Sequence, residues 1–347
     1  MRSISLFLLI AVAMLLSPNY ANANILYSDG PYLIEQNKQL QRYDISDNQL
    51  TVSPYAGGLG EVSHFNVAVS DTYKGVAKIA AISDIHGQVD IFKALLKNNG
   101  VIDDALNWRW GKGHLVITGD IFDRGDTVTE ALWLVFKLEQ QAKAAGGKLH
   151  YLLGNHEYMV LRGDERYIHD KYKQTLGVMK MDLKTLFNEY TTLGQWLRSK
   201  STVIKINEYV FMHGGIHQDF LDLGLSLEHA NAMFRQTIGQ SKKMLKAGPY
   251  TKILYGRTGP IWYRGYFKEG ELTEQDVDSL LKQLEVKHIV VGHTSQQQVE
   301  TRFNGKVIAI DTSIKNAVKG ELLIIERNKS AKDTLTRGQM DGKQLAL

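Results

Sequence analysis

From Val76 onward, short apolar and β-branched runs alternate with longer stretches in which apolar residues recur every three or four positions. The short runs are "VAKIAAIS", "HLVIT", "KLHYLL", "VIKINEYVFM", "VKHIVV", "VIAI" and "ELLIIE". Between them lie "DIFKALLKNNG", "TVTEALWLVFKLEQQAKAAGG", a long helical region up to Ser201, and a helical stretch around Leu225 to Leu245. Short continuous apolar runs predict strands, and stretches with period 3.6 predict amphipathic helices. Their alternation predicts an α/β (α+β) fold over 76–329.

Residues 24–75 read differently. They are rich in Tyr, Asn and Gly, and hold short alternating runs bounded by turn residues. That pattern predicts a small N-terminal β-rich extension. The segment 330–347 is polar and unpatterned and predicts a mobile C-terminal tail. The first residues, "MRSISLFLLIAVAMLLSPNYANAN", combine Arg2, an apolar run from Ile4 to Leu16 and Ala21-Asn22-Ala23. This predicts a signal peptide over 1–23, with an uncleaved anchor as the alternative. The expected protein is exported, periplasmic or secreted, and no later run is apolar enough to hold it in a membrane.

Composition narrows the chemistry. The chain has 347 residues, 44% hydrophobic and 22% charged, which suits one large domain or two smaller ones. The net charge of +4 is scattered and argues against a nucleic-acid partner. There is no cysteine, which excludes thiolate phosphatases, thiolate zinc sites and iron–sulfur clusters. An exported chain without disulfides must be held by its core.

The informative residues stand where the apolar runs end. "IAAIS" leads into Asp84, His86 and Gly87, and "LVITG" into Asp120, Asp123, Arg124 and Gly125. "HYLLG" leads into Asn155, His156 and Glu157, "YVFM" into His213, and "IVVG" into His293. In open α/β sheets the carboxyl ends of strands converge on one crevice, so these groups are expected to be neighbours. Oxygen and imidazole donors without thiolate suit Zn, Mn or Fe. A carboxylate can bridge two such ions, and Asp120, in the middle of the set, is the natural bridge. Asp84 and His86 then complete one metal site; Asn155, His213 and His293 complete the other. Asp126, before Thr-Val-Thr-Glu, reads as a helix cap, and Asp90 and His217 as structural residues.

Taken in order, Asp84-x-His86-Gly87, Gly119-Asp120-x-x-Asp123-Arg124-Gly125, Gly154-Asn155-His156-Glu157 and His213-Gly214-Gly215 resemble the calcineurin-like metallophosphoesterases. The arginine and the Asn-His-Glu run resemble the phosphoprotein phosphatases among them. "GDIFDRG", "GPIWYRGY" and the export signal resemble their bacterial, Shewanella-like branch. The resemblance covers about Val76 to Ile325. It implies a four-layer sandwich of two central β-sheets flanked by helices, two metal ions, and in-line attack on a phosphomonoester by a metal-bound hydroxide. Two departures stand out. Ser83 occupies the place where the first motif usually has glycine, and "VIAIDTS" lacks the Ser-Ala-Pro-Asn-Tyr segment of the eukaryotic serine/threonine enzymes.

Roles follow from residue chemistry. Arg124 offers a two-pronged donor to phosphoryl oxygens. Asp123 orients His156, which protonates the leaving oxygen, and the resemblance implies the same pairing. Asn155 also contacts substrate. The resemblance implies a second phosphate-binding arginine, for which Arg264 is the choice and Arg257 the competitor. Tyr158, Arg162, Tyr167 and His169 are candidates for the substrate mouth, against the reading of a plain amphipathic helix. The expected function is a metal-dependent phosphoprotein phosphatase acting on phosphotyrosine, with phosphoserine and phosphothreonine alongside. The alternatives are a phosphoanhydride or phosphodiester hydrolase, such as a dinucleotide tetraphosphatase, and a non-catalytic metal-binding protein.

Overall fold

The computed structural model describes residues 26–57, 62, 65, 67, 70–328, 330 and 332–347; the expected signal peptide lies outside them. The chain opens with β1 (Asp29–Gln36), β2 (Gln39–Ser46) and β3 (Gln49–Pro54), an antiparallel meander. Its turns place Asn37, Lys38, Asp47 and Asn48 at φ 52°, 64°, 49° and 66°. Two-residue hairpins need this left-handed backbone, which Asn and Asp tolerate. The meander is built into the body of the protein. Tyr32, Ile34, Tyr43 and Ile45 are buried in the main core, and the Trp133 indole donates to the Pro31 carbonyl at 2.8 Å.

Next come β4 (Thr72–Tyr73), β5 (Lys78–Ile82), α1 (Val89–Asn98), β6 (His114–Ile117), α2 (Val128–Ala144) and β7 (Lys148–Tyr151). The long region expected to be helical holds four short helices: α3 (Asn155–Leu161), α4 (Asp170–Met179), α5 (Leu183–Leu186) and α6 (Thr192–Arg198). Gly163 at φ 82° follows the first, Lys180 at φ 53° ends the second, and Asp182 and Thr191 cap the last two. Then follow β8 (Val203–Ile206), β9 (Tyr209–Met212), α7 (Gln218–Leu221), α8 (Leu227–Gln236), α9 (Lys242–Ala247), α10 (Thr251–Leu254) and α11 (Glu274–Leu284). The chain closes with β10 (His288–Val291), β11 (Glu300–Arg302), β12 (Val307–Ala309), β13 (Glu321–Arg327), β14 (Asp333–Gln339) and β15 (Gln344–Ala346).

Two six-stranded sheets form the centre, ordered β15-β14-β13-β5-β6-β7 and β11-β12-β10-β9-β8-β4. Successive side chains of a strand point to opposite faces. In β5, Ile79 and Ala81 therefore join Val116, Ile204, Phe211, Val290 and Ile308 in the core between the sheets. Ala80 and Ile82 face the other way, into a helix-covered core with Leu95, Leu132 and Val135. Burial on both faces explains why the run is continuously apolar. The result is the expected calcineurin-like sandwich.

Two expected boundaries are corrected. The segment 330–347 is not a loose tail: β14 pairs antiparallel with β13 from Arg327↔Asp333 to Glu321↔Gln339, and β15 pairs with β14. β14 and the edge strand β15 are held by backbone hydrogen bonds, so their polar sequence leaves no apolar alternation to read. The extension does not run to residue 75, because Thr72 and Tyr73 already pair with Lys205 and Ile206 of β8.

Registers set up the site. Ile82, Ile117 and Tyr151 lie side by side at the carboxyl ends of β5, β6 and β7. Met212 and Val291 do the same at the ends of β9 and β10. The loops that follow all five strands leave at one level.

Candidate active site

Those loops share an uncommon backbone. Asp84, His86, Asp120, Asp123, Arg124 and His293 have φ of 51°, 47°, 58°, 72°, 71° and 63°. Left-handed backbone at non-glycine residues costs on the order of 1–3 kcal/mol each and persists only where the surroundings over-determine it. Here the surroundings are visible. The Asp84, His86 and Gly87 amides donate to the carbonyls of Gly119, Asp120 and Ile121 at 3.1, 2.9 and 2.9 Å, zipping two loops together. The buried Glu157 carboxylate accepts from the amides of Asp120, Ile121 and Gly154 at 2.8, 2.7 and 2.7 Å and from the Tyr151 hydroxyl at 2.9 Å. Gly154 is required by proximity, since a Cβ there would lie 2.4 Å from Asp120 Oδ1.

Asp120 is the centre. Its Oδ2 lies 3.7 Å from His86 Nε2, 3.1 Å from His213 Nε2 and 3.8 Å from His156 Nε2. Asp84 Oδ1 is 3.8 Å from His86 Nε2, and Asn155 Oδ1 is 2.9 Å from His213 Nε2. Two buried groups could each hold an ion, and they share Asp120: His86, Asp120 and His156, and Asp120, His213 and His293.

The donor set fits a cation. His86 Nδ1 donates to the Phe122 carbonyl at 2.7 Å, and His213 Nδ1 to the Thr118 carbonyl at 2.9 Å. With those protons committed, both Nε2 lone pairs point at carboxylate and amide oxygens, which are also acceptors. His293 Nε2 is buried with no hydrogen-bond partner. Converging acceptors with no donor among them need a proton or a metal ion, and metal-ligating histidines commonly spend their other nitrogen on a backbone carbonyl. In the protein without metal, the charges respond accordingly. Burial pulls His213 down, but Asp120 and then Asp84 outweigh it and raise it to about 9. Burial, followed by the charge of Asp311, pushes Asp84 up to about 8. Burial takes His86 down to about 3.

The residues expected to act on substrate stand beside this set. His156 Nδ1 is hydrogen-bonded to Asp123 Oδ2, and both residues are buried. Burial pulls His156 down, but Asp120 and the Asp123 pairing leave it raised. Arg124 is exposed, and its guanidinium makes no hydrogen bond or ion pair among the described residues. Its amide donates to the Tyr167 carbonyl at 2.9 Å, and its guanidinium lies 5.7 Å from the Tyr167 ring. Arg264 donates to the His293 carbonyl at 2.6 Å and to Thr294 Oγ1 at 3.2 Å, so it stands at the site; Arg257 is exposed in the loop after α10.

Not every expected residue belongs here. Tyr158 is buried against Phe234 and Tyr255, with its hydroxyl 2.6 Å from Thr202, and lines no mouth. His169 caps α4; His217, expected to be structural, caps α7. Asp126 does not cap α2, whose N-cap is Thr127; its carbonyl instead accepts from Lys171 and Tyr172 at 2.8 and 2.9 Å. Three groups were missed. Glu157 stands in a quoted motif without a role, and its spacing of three from Gly154 is the signal. Ser83 Oγ donates to Asp84 Oδ2 at 2.5 Å, so the departure from glycine supplies an orienting hydroxyl. Asp311 is fully buried at the end of β12 and accepts from Ser295 at 2.6 Å. It ends an apolar run just as the expected ligands do.

Comparison with known proteins agrees with this geometry. The calcineurin-like phosphoesterase profile matches residues 77–297. A crystal structure of a cold-active protein-tyrosine phosphatase from a psychrophilic Shewanella species is 43% identical, with a TM-score of 0.86, and the match covers 92% of this chain and 99% of that one. Shewanella-like protein phosphatase 1 of Plasmodium berghei is 29% identical over 70% of this chain and 69% of its own length. Shewanella-like protein phosphatase 2 of Arabidopsis thaliana is 26% identical over 77% and 80%. A serine/threonine phosphatase from Saccharomyces cerevisiae shares the fold at 15% identity and a TM-score of 0.50.

Proposed function

This chain belongs to the calcineurin-like phosphoesterase family, and from that premise we propose that it is a metal-dependent phosphoprotein phosphatase, acting on phosphotyrosine with phosphoserine and phosphothreonine alongside. The observation that carries the proposal is the buried Asp123–His156 pair beside a free, exposed Arg124, at the rim of an oxygen and imidazole donor set. A protein that merely stored metal would have no use for that pair. The relatives named as protein phosphatases support the substrate class.

Two ions of Zn, Mn or Fe would be held by Asp84, His86 and Asp120, and by Asp120, Asn155, His213 and His293. When bound they supply charge neutralisation for the phosphoryl group and a water of lowered pKa, near ~7. The protein's own residues do the rest. Arg124, unpaired and exposed, clamps phosphoryl oxygens from the solvent side. Arg264 offers its remaining donors from the His293 side. Asp123 holds His156 through Nδ1, so Nε2 presents a proton to the departing oxygen. Glu157 keeps the Asp120 and Gly154 backbones from relaxing. We also propose, from the apolar N-terminal run, that the protein is exported and cleaved after Ala23. Metal analysis of the purified protein, with a panel of phosphopeptides and dinucleoside polyphosphates, tests the function. Turnover of the peptides that falls with chelation is expected; turnover of the dinucleotides alone would replace this reading.

A further inference from the structure

Between His229 and Lys268 the sequence holds eight Lys or Arg and no Asp or Glu. One of these cations reaches the loop that joins α3 to α4. Lys242 Nζ, at the start of α9, is 3.8 Å from Asp164 Oδ2. The Asp164 carboxylate also accepts from Arg166 at 2.7 and 2.8 Å and from Arg162 at 3.4 Å. The Arg166 guanidinium lies 5.4 Å from the Tyr167 ring, and that ring lies 5.4 Å from the ring of His156. A continuous shelf therefore runs from the proton donor to α9. The side chains of Arg166 and Lys242 are 53% and 55% exposed. Tyr167 is also exposed.

Charge on this shelf is unbalanced. Asp164 faces three cations, and Lys246 adds a fourth charge near Lys242. Glu165, exposed on the same loop, is the other acid. The Asp164 carboxyl is held down to about 2, chiefly by Arg166, so it stays ionised. The Lys242 ammonium is pulled below its ordinary value by burial first, and then by Arg162, Arg166 and Lys246. Like charges held together in this way gain from an incoming anion.

We propose that Arg162, Arg166, Lys242 and Lys246, with Tyr167 as the inner wall, form a docking shelf for acidic side chains flanking the phosphorylated residue of a peptide. This rests on the phosphoprotein phosphatase reading. Arg166 already spends its Nε and Nη2 on Asp164 and the Arg162 side chain is only 12% exposed, so an incoming carboxylate meets the exposed ammonium groups of Lys242 and Lys246 and the remaining Arg166 donors; basic clusters of this kind recur in acidic-motif recognition. Asp164 and Glu165, interleaved with the cations, suit carboxylates that arrive singly and would repel a continuous polyanion such as a nucleic acid or a nucleotide polyphosphate.

The test uses phosphotyrosine peptides flanked by Glu on both sides or by Gln at the same positions, with p-nitrophenyl phosphate and a dinucleoside polyphosphate as controls. The metal-loaded wild type is compared with Lys242→Glu/Lys246→Glu. A second double variant, Lys74→Glu/Lys112→Glu, makes the same change in net charge on exposed residues just after β4 and just before β6. The wild type is expected to show a KM about 3–10-fold lower for the Glu peptide, as a few exposed ion pairs allow. The shelf variant loses that preference with kcat and p-nitrophenyl phosphate turnover unchanged, and the distant variant keeps it. No preference in the wild type, or one that survives in the shelf variant, overturns the shelf and leaves the phosphatase reading standing. A charge-reversal effect on the dinucleotide alone also overturns it. Failure of the wild type to hydrolyse either peptide overturns both readings.

Discussion

Strands β6 and β7 carry one histidine cluster within the sheet and lead into another beyond their carboxyl ends, and the two clusters behave in opposite ways. Within the strands, His150 Nε2 of β7 reaches back to His114 Nδ1 at the start of β6 at 3.0 Å, and the Tyr73 ring packs on both imidazoles. Among the described residues no carboxylate touches them. Burial, then Lys148, takes His114 down to about 4; burial, then His114, takes His150 well below its ordinary value. Each ring satisfies the other, and both lie in regular strand. At the carboxyl ends the histidines face acceptors, and Asp120 raises His213 to about 9 despite burial. Their neighbours sit in left-handed backbone held by Glu157. Buried histidine is thus not a sign of chemistry in itself. What marks the site is histidine whose free lone pair converges with carboxylates on one point.

The comparison can be broken most sharply at Asp120. Asp120→Asn should lower kcat/KM by at least about 10³-fold, because the change removes charge from both ion sites at once. Metal content per chain, measured by mass spectrometry, should fall in parallel; full activity with no metal would end the two-metal reading. His150→Gln in the other cluster should leave activity within about twofold and cost roughly 1 kcal/mol of stability through its hydrogen bond.

His156 and Arg124 should fail in different ways. A general acid is worth about 10²–10⁴-fold, most where the leaving group is a strong base. His156→Asn should slow phosphoserine peptides most, phosphotyrosine peptides less and p-nitrophenyl phosphate least. Arg124→Ala should slow all three by similar factors. Equal losses for His156→Asn, in protein that retains its metal and with chemistry rate-limiting, would take His156 out of the acid role.

A smaller effect is expected at Glu157. Glu157→Gln sets an amide donor against four donors, and should cost about 10–100-fold in metal affinity or activity, as loss of an outer orienting group does. An unchanged metal affinity and rate would show that the left-handed loops hold themselves.

The smallest effect concerns pH. His114 has a lowered folded value of about 4 against an ordinary 6.5, so the unfolded chain binds the extra proton between those values. Stability contributed by this group is therefore complete above pH 6.5 and is lost as pH falls towards 4. Removing the titrating ring in His114→Gln should flatten the fall in Tm between pH 6.5 and 4.5 by about 2 °C. An identical slope in both proteins would show that His114 does not couple to folding.

How much of this was legible in the chain depends on how local each signal is. Apolar runs of β5, β6, β7, β9 and β10 are readable because burial on both faces of a central strand demands a continuous apolar sequence. The acids and histidines at their ends are readable for the same reason, since a polar group after such a run stands out. β14 and β15 were not readable: "DTLTRGQ" carries one large apolar residue, and its strand exists because β13 offers unpaired backbone groups. The helices between Asn155 and Arg198 were readable as helical but not as four, because Lys180 ends α4 by adopting left-handed backbone that its residue type does not announce.

The site divides along the same line. Residue types and their order determined the donor set, the absence of thiolate chemistry and the Asp123–His156–Arg124 grouping. Only the tertiary structure decided which donors share a centre, that Tyr158 lines no mouth, that Thr127 rather than Asp126 caps α2, and that Arg264 rather than Arg257 reaches His293. The reason is physical. Ligand identity is a property of one residue, whereas the direction of a lone pair depends on where its other nitrogen finds a carbonyl, and the Thr118 and Phe122 carbonyls that orient His213 and His86 belong to the backbone, which every residue carries alike.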